Sequence, residues 1–337
     1  MKTVLVVSLT KFYGGGESFI LSHFTDIEGI DFLYLIASEQ LKKQLPMGKT
    51  FFITDTKLRS AAKYIKNIIK EKSIDVVILN GGRSLFLSSF IHRHSKCVGI
   101  RHTLNAYVNT FAIYRDIYIG VLNMCYCFMK SVVHVSQKSK AEQIFARKKG
   151  VVIYNGVLEK QELSPKNGKN FIFIGRLSRE KGVHILISAF NAICKADKNV
   201  HLYLVGTGEI DTSFPHDENI HFEGFSTELE KFYRMANWYI SLTSRENCSI
   251  SVLDALSYGI PVITTDVGGN PELIQNKFNG FIISPSENAV KTLFFEILNN
   301  MADDQYQELS QNAYKTFSEK FNLRKQKVAY KELLENI

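Results

Sequence analysis

Glu246 and Asp254, with seven residues between them, bracket the start of a helix read over Ile250–Tyr258. Glu246 sits in the loop ahead of that helix, and Asp254 lies just over one turn inside it. The intervening Asn247, Cys248, Ser249 and Ile250 bring backbone N–H groups to the helix N-terminus, where the first N–H groups lack intrahelical acceptors. Carboxylates accept from hydroxyls and amides donate to anions, so the group suits a ligand that is both polyhydroxylated and phosphorylated. Taken singly, Glu246 also reads as a solvated loop acid and Asp254 as a paired helix residue. Upstream, Arg176 and Lys181 follow another strand end. Cations there would neutralise a diphosphate and stabilise the charge that a departing phosphate develops. The alternative is a pair of surface cations facing Glu180.

The N-terminal half offers Gly14-Gly15-Gly16-Glu17 between a first strand and a helix. Glycine allows a backbone to approach a ligand closely or to take positive φ. The dinucleotide pattern G-x-G-x-x-G is not completed, because Phe19 holds its third position. His102 follows the strand Cys97–Ile100, while His134 lies in an apolar strand and reads as packing. Arg101 reads equally as a phosphate contact or as half of an ion pair.

These residues need strands that end at one edge of a sheet. Short apolar runs (Val4–Ser8, Asp31–Ile36, Asp75–Leu79, Cys97–Ile100, Val132–Val135, Phe171–Ile174, Val200–Val205, Trp238–Leu242, Val262–Thr264) alternate with helical patterns. Gly259 stands where a left-handed residue would close the helix that carries Asp254. Continuous apolar strands separated by helices predict α/β architecture with parallel sheets. The expected fold is two Rossmann-like domains, residues 1–160 and 161–322, facing across a cleft. The polar stretch Ser164–Asn170 serves as linker, and a last helix, 323–337, crosses back to the first domain. Ligands of such sheets bind beyond the carboxyl ends of strands.

The motifs in the second half resemble the family 4 glycosyltransferases, which are retaining, nucleotide-sugar-dependent enzymes of GT-B fold. The resemblance rests on Glu246…Asp254-Ala255, Gly259-Ile260-Pro261-Val262, Thr265–Ile274, Ile174-Gly175-Arg176-Leu177…Glu180-Lys181-Gly182 and Leu204-Val205-Gly206-Thr207-Gly208, with Gly224, Phe225 and Asn279-Gly280. It implies that Glu246 contacts donor-sugar hydroxyls, that the second acid contacts the ribose, and that Arg176 and Lys181 hold the diphosphate. The usual second acid is Glu; the shorter Asp254 implies a looser or water-mediated ribose contact. Gly15 and Gly16 are placed against donor phosphate or acceptor, and His102 near the C6 hydroxyl of the donor sugar. Backbone around Gly206, Gly208 and Phe225 faces the base, with a UDP-sugar favoured over a GDP-sugar. The fold implies metal-independent hexosyl transfer without a cofactor, to a glycan or polyprenyl-linked acceptor in surface-glycan synthesis. A sugar-nucleotide epimerase of the same fold and a non-catalytic transferase partner are the alternatives.

Lys and Arg number 41 against 33 Asp and Glu, a formal charge of +8 over 337 residues, which favours anionic partners. A nucleic acid is not among those expected. Five scattered cysteines suit a reducing compartment, and Asp303-Asp304 reads as a helix start rather than a metal site. No apolar run reaches the ~18 residues of a membrane span. The expected location is cytoplasmic, peripheral on the inner membrane face. The basic helix Lys57–Lys72 would make that contact, or else simply pack on the core. The aromatic stretch Tyr107–Phe128 would line an acceptor groove, touch an interface, or belong to the core.

Overall fold

The computed structural model describes residues 1–105, 111–160, 168–210 and 216–337. The part of the aromatic stretch from Tyr107 to Thr110, and the part of the linker from Ser164 to Asn167, lie outside the described residues. The chain divides into two compact units, Met1–Gly156 with Leu323–Ile337, and Val157–Asn322.

The first unit is a seven-stranded parallel sheet of β1 (Lys2–Ser8), β2 (Ile30–Ile36), β3 (Thr50–Phe52), β4 (Val76–Asn80), β5 (Lys96–Arg101), β6 (Ser131–His134) and β7 (Gly150–Val152). Their order is β3-β2-β1-β4-β5-β6-β7. The second unit has six parallel strands: β8 (Asn170–Ile174), β9 (His201–Val205), β10 (Ile220–Gly224), β11 (Trp238–Ser241), β12 (Val262–Thr264) and β13 (Gly280–Ile282). Their order is β10-β9-β8-β11-β12-β13. Central strands such as β4 and β11 are buried along their whole length, as strands covered on both faces must be. Both units are Rossmann-like, the doubly wound α/β class.

In each sheet the strand order reverses once, between β1 and β4 and between β8 and β11. The loops leaving such neighbouring strands diverge and open a crevice at their carboxyl ends. Gly14–Glu17 follows β1 and Asn80-Gly81 ends β4. Likewise Gly175–Gly182 follows β8, and Leu242–Ser249 follows β11.

The boundary falls at Gly156–Val157, four residues ahead of the expected 160. Val157 N donates to Phe321 O at 3.1 Å and bridges to Asn322, which ties it to the second unit. The terminal helix Leu323–Glu335 lies in the first unit. Its Tyr330 is fully buried, edge-on to Phe24 with ring centroids 5.0 Å apart, and Lys2 Nζ donates to Leu334 O at 2.6 Å.

Candidate active site

In the second unit, the two switch-point loops are laced together by backbone. Ser244 N donates to Glu180 O at 2.8 Å, and the Ser244 hydroxyl reaches the same oxygen at 3.1 Å. Sequence periodicity starts a helix at Lys181; it starts at Val183 instead. Gly182 takes φ +73, and a Cβ there would stand 2.4 Å from Leu242 O. Lys181 is thereby left in the loop, and its Nζ meets Glu246 Oε2 at 2.8 Å. Both side chains are about a fifth exposed, at 22% and 19%. Water therefore reaches the pair, and an incoming ligand can compete for each partner. Glu246 Oε1 also accepts from Asn247 N at 3.0 Å.

Arg176 does not join this pair. It is 65% exposed and faces Glu180 at 3.6 Å, and Glu180 in turn faces Arg245 at 3.8 Å. Asp254 lies inside the helix Ile250–Ser257, whose N-cap Ser249 accepts from Val252 N at 3.4 Å. Burial pushes the Asp254 carboxyl up to about 7, with the Lys160 ammonium offsetting part of that rise. At neutral pH it is thus poised between an acceptor carboxylate and a donor acid. The helix closes as expected: Gly259 takes φ +68, its N–H bonds Leu256 O, and Ile260 N bonds Ala255 O, both at 3.0 Å.

In the first unit the same position holds neutral groups. Asn80, the last residue of β4, donates from Nδ2 to Gly16 O at 3.1 Å. That orientation turns Asn80 Oδ1 toward His102 Nε2, 2.8 Å away, so the ring carries its proton on Nε2. Burial lowers the His102 pKa to about 4, and the imidazole is neutral at physiological pH. Phe19 meets the ring edge-on at 4.8 Å. Glu17, next in the chain to Gly16, is buried and accepts from the Ser8 hydroxyl at 3.0 Å, and burial raises its carboxyl above the ordinary range.

Residues 156–316 match the family model described as Glycosyl transferases group 1, almost the whole second unit. That unit belongs to the group 1 glycosyl transferases. The chain is 26% identical over 307 residues to an uncharacterized glycosyltransferase of Methanocaldococcus jannaschii, covering 83% of this chain and 80% of that one. It is 25% identical over 286 residues to the O-antigen biosynthesis glycosyltransferase WbnH of Escherichia coli, covering 80% and 79%. Among solved structures, Anabaena HepE in complex with UDP-glucose superposes with a TM-score of 0.82 at 18% identity, covering 100% of both chains. The structural likeness shows the GT-B fold.

Gly206 and Gly208 have a packing reason to be glycine in this unit. A Cβ at Gly206 would lie 1.9 Å from Gly175 O, and one at Gly208 2.1 Å from Leu177 O, because the β8 and β9 loops run in backbone contact. Phe225 is 72% exposed, whereas Asn247 and Cys248 are buried. Gly15 and Gly16 do not take positive φ, so conformation does not explain them. A Cβ on Gly15 would meet nothing within 4 Å. Sequence reasoning passed over Asn80, the link between Gly16 and His102, because an Asn at a strand end is an ordinary turn signal. It also passed over Arg245, which directly precedes Glu246. Asp303 and Asp304 open the helix Asp303–Thr316, and no group of potential metal ligands occurs among the described residues. No described helix is long and apolar enough to cross a membrane.

Proposed function

We propose that the chain is a retaining glycosyltransferase that moves a hexose from a UDP-sugar to a saccharide or lipid-linked saccharide in surface-glycan synthesis. The observation that carries this reading is the Lys181–Glu246 pair, 2.8 Å apart at the switch point of a group 1 transferase unit. A ligand seated across it has an anion beside the ammonium and hydroxyls beside the carboxylate. A sugar diphosphate carries those two groups on either side of the bond to be cut. The UDP-glucose held by the Anabaena neighbour and the O-antigen role of the E. coli relative favour this donor and this kind of product.

In this reading Lys181, with Arg176 swinging in from its exposed position, neutralises the diphosphate and stabilises the leaving group. Glu246 orients the sugar hydroxyls. Asp254 accepts from the ribose, and the first-turn amides around Ser249 and Ile250 add partial positive charge. Fixed cations supply what a metal would, so turnover is metal-independent. The first unit takes the acceptor, with His102 and the Gly15-Gly16 backbone against it. No side chain is assigned as nucleophile. The C1–phosphate bond breaks, the acceptor oxygen bonds C1 on the same face, and its proton passes to the departing phosphate oxygen. The work would be done on the cytoplasmic face of the membrane.

A panel of nucleotide sugars with saccharide and polyprenyl-linked acceptors tests this. Released UDP and a product whose anomeric configuration matches the donor, by NMR and in the presence of EDTA, are expected. Inverted product would overturn retention, and an epimerised donor without transfer would overturn the transferase reading.

A further inference from the structure

Two 15-residue helices of the first unit use their apolar residues in opposite ways. In the basic helix Leu58–Lys72, Ala61, Ala62, Ile65, Ile68 and Ile69 are buried in the sheet core, so its stripe is already spent. In the helix Ala112–Tyr126, Ile113, Ile117, Val121 and Met124 are 68%, 58%, 45% and 59% exposed. They recur at steps of four, four and three, one face of a helix. Phe128, just beyond the helix, extends the stripe, and Leu122, Cys125 and Tyr126 hold the opposite face in the core. Exposed Ile144 and Phe145 belong to a segment tied to the same helix, since Ile144 N donates to Asn123 Oδ1 at 2.8 Å. Contiguous apolar surface of this kind marks a contact that the isolated chain does not make.

Charge says what covers it. From Val76 to Lys149 the chain has eleven Lys and Arg but only two acids, Asp116 and Glu142. That excess of nine exceeds the +8 of the whole protein, so the rest is nearly neutral. Glu142 is held by Arg101 at 2.9 Å and Asp116 by Arg115 at 3.5 Å. The basic turn Arg147–Lys149 borders the stripe, because Lys149 Nζ caps Cys127 O and Met129 O, each at 2.8 Å. His92 lies against Phe128, with ring centroids 4.6 Å apart, which brings Arg93 to the same rim.

We infer that the outer face of the helix Ala112–Tyr126, with its basic rim, docks on an anionic lipid bilayer. The apolar side chains enter the headgroup–acyl boundary, and the Lys and Arg side chains meet lipid phosphates. A second copy of the chain is the poorer occupant, because a two-fold contact would set one basic rim against another. This inference stands apart from the donor chemistry and relocates the expected membrane contact from the helix Lys57–Lys72.

Cys127 is exposed at the end of the stripe while the other four cysteines are buried, so a polarity-sensitive fluorophore can be placed there. The labelled full chain is mixed with phosphatidylglycerol-containing vesicles and with pure phosphatidylcholine vesicles. A blue shift and co-sedimentation with the anionic vesicles alone are expected. An I117S/V121S/M124S variant should partition at least about tenfold less, with unchanged circular dichroism and unchanged UDP binding. Reversal of Lys63 and Lys66 to Glu on the other helix should change partitioning by less than about twofold. Absence of anionic-vesicle binding, equal partitioning of the triple variant, or a concentration-dependent dimer that the triple variant abolishes would each overturn the proposal.

Discussion

The two switch points occupy the same place in two parallel sheets and are built from opposite materials. Beyond β8 and β11 stands an ionised, water-accessible pair, Lys181 and Glu246. Beyond β1, β4 and β5 stands a neutral chain, Gly16–Asn80–His102, with the imidazole pushed down to about 4 and a buried Glu17 pushed up. Charges that water still reaches can exchange partners with an incoming anion, because solvent partly screens whichever partner is released. Buried neutral groups do the reverse: they hold an uncharged hydroxyl in a set orientation and repel charge. The contrast argues for a charged ligand on the second unit and an uncharged nucleophile-bearing one on the first.

The largest effects should come from the ionic side. Lys181→Ala and Glu246→Ala should each lower turnover by ~10²–10³ while the melting transition moves little. The double variant should cost far less than the product of the two, because each residue's main partner is the other. Nucleotide-release kinetics read both; additive losses would say that the pair does not act as a unit.

On the neutral side, His102→Ala should lower turnover by ~10–10². The wild-type rate should show no His102 titration between pH 5 and 8, since the ring is already neutral there. A profile that rises through pH 6.5 and is lost with His102 would break the contrast.

Asp254 and the buried histidines of the first unit should respond to pH with opposite sign. Asp254 has a folded pKa of about 7, above its ordinary 3.8, so the folded second unit holds an extra proton between those values. Its contribution to stability declines as pH rises from 4 to 7, and Asp254→Asn should remove that decline. His23, His102 and His134 are lowered from 6.5 to about 3, 4 and 4. Their contribution is lost as pH falls below 6.5. The single tryptophan, Trp238, is buried in β11, so its fluorescence follows the second unit alone. Unit-resolved hydrogen exchange follows the first.

The smallest effect is the most specific. Gly15→Ala should leave stability within about 0.5 kcal/mol, since its Cβ meets nothing within 4 Å, yet should slow turnover if a ligand approaches that backbone. Gly206→Ala, with a Cβ 1.9 Å from Gly175 O, should instead destabilise by about 1–3 kcal/mol.

Much of this arrangement was readable from residues alone, where burial on both faces writes an unbroken apolar run. The central strands β1, β4, β5, β8 and β11 are largely such runs. The edge strands β3 and β13 are three residues long, and β10 is partly exposed, so none carries a pattern. Glu246 and Lys181 were legible because their roles depend on loop position after a strand. Their pairing was not, since it depends on Gly182 delaying the helix by two residues. The neutral chain was legible at Gly16 and His102 but not in their connection: Asn80 joins them through sheet order, which no local spacing encodes. The outward stripe of Ala112–Tyr126 was read as groove, interface or core, because periodicity identifies a face without saying which way it looks.

Calorimetric titration of UDP and of UDP-glucose into the wild type, Lys181→Ala and Glu246→Ala tests the charged pair most directly. Loss of Lys181 should weaken both ligands alike, whereas loss of Glu246 should leave UDP unchanged and erase the added affinity due to the sugar. Wild-type affinities for both ligands in both variants would contradict a diphosphate-sugar site at Lys181 and Glu246.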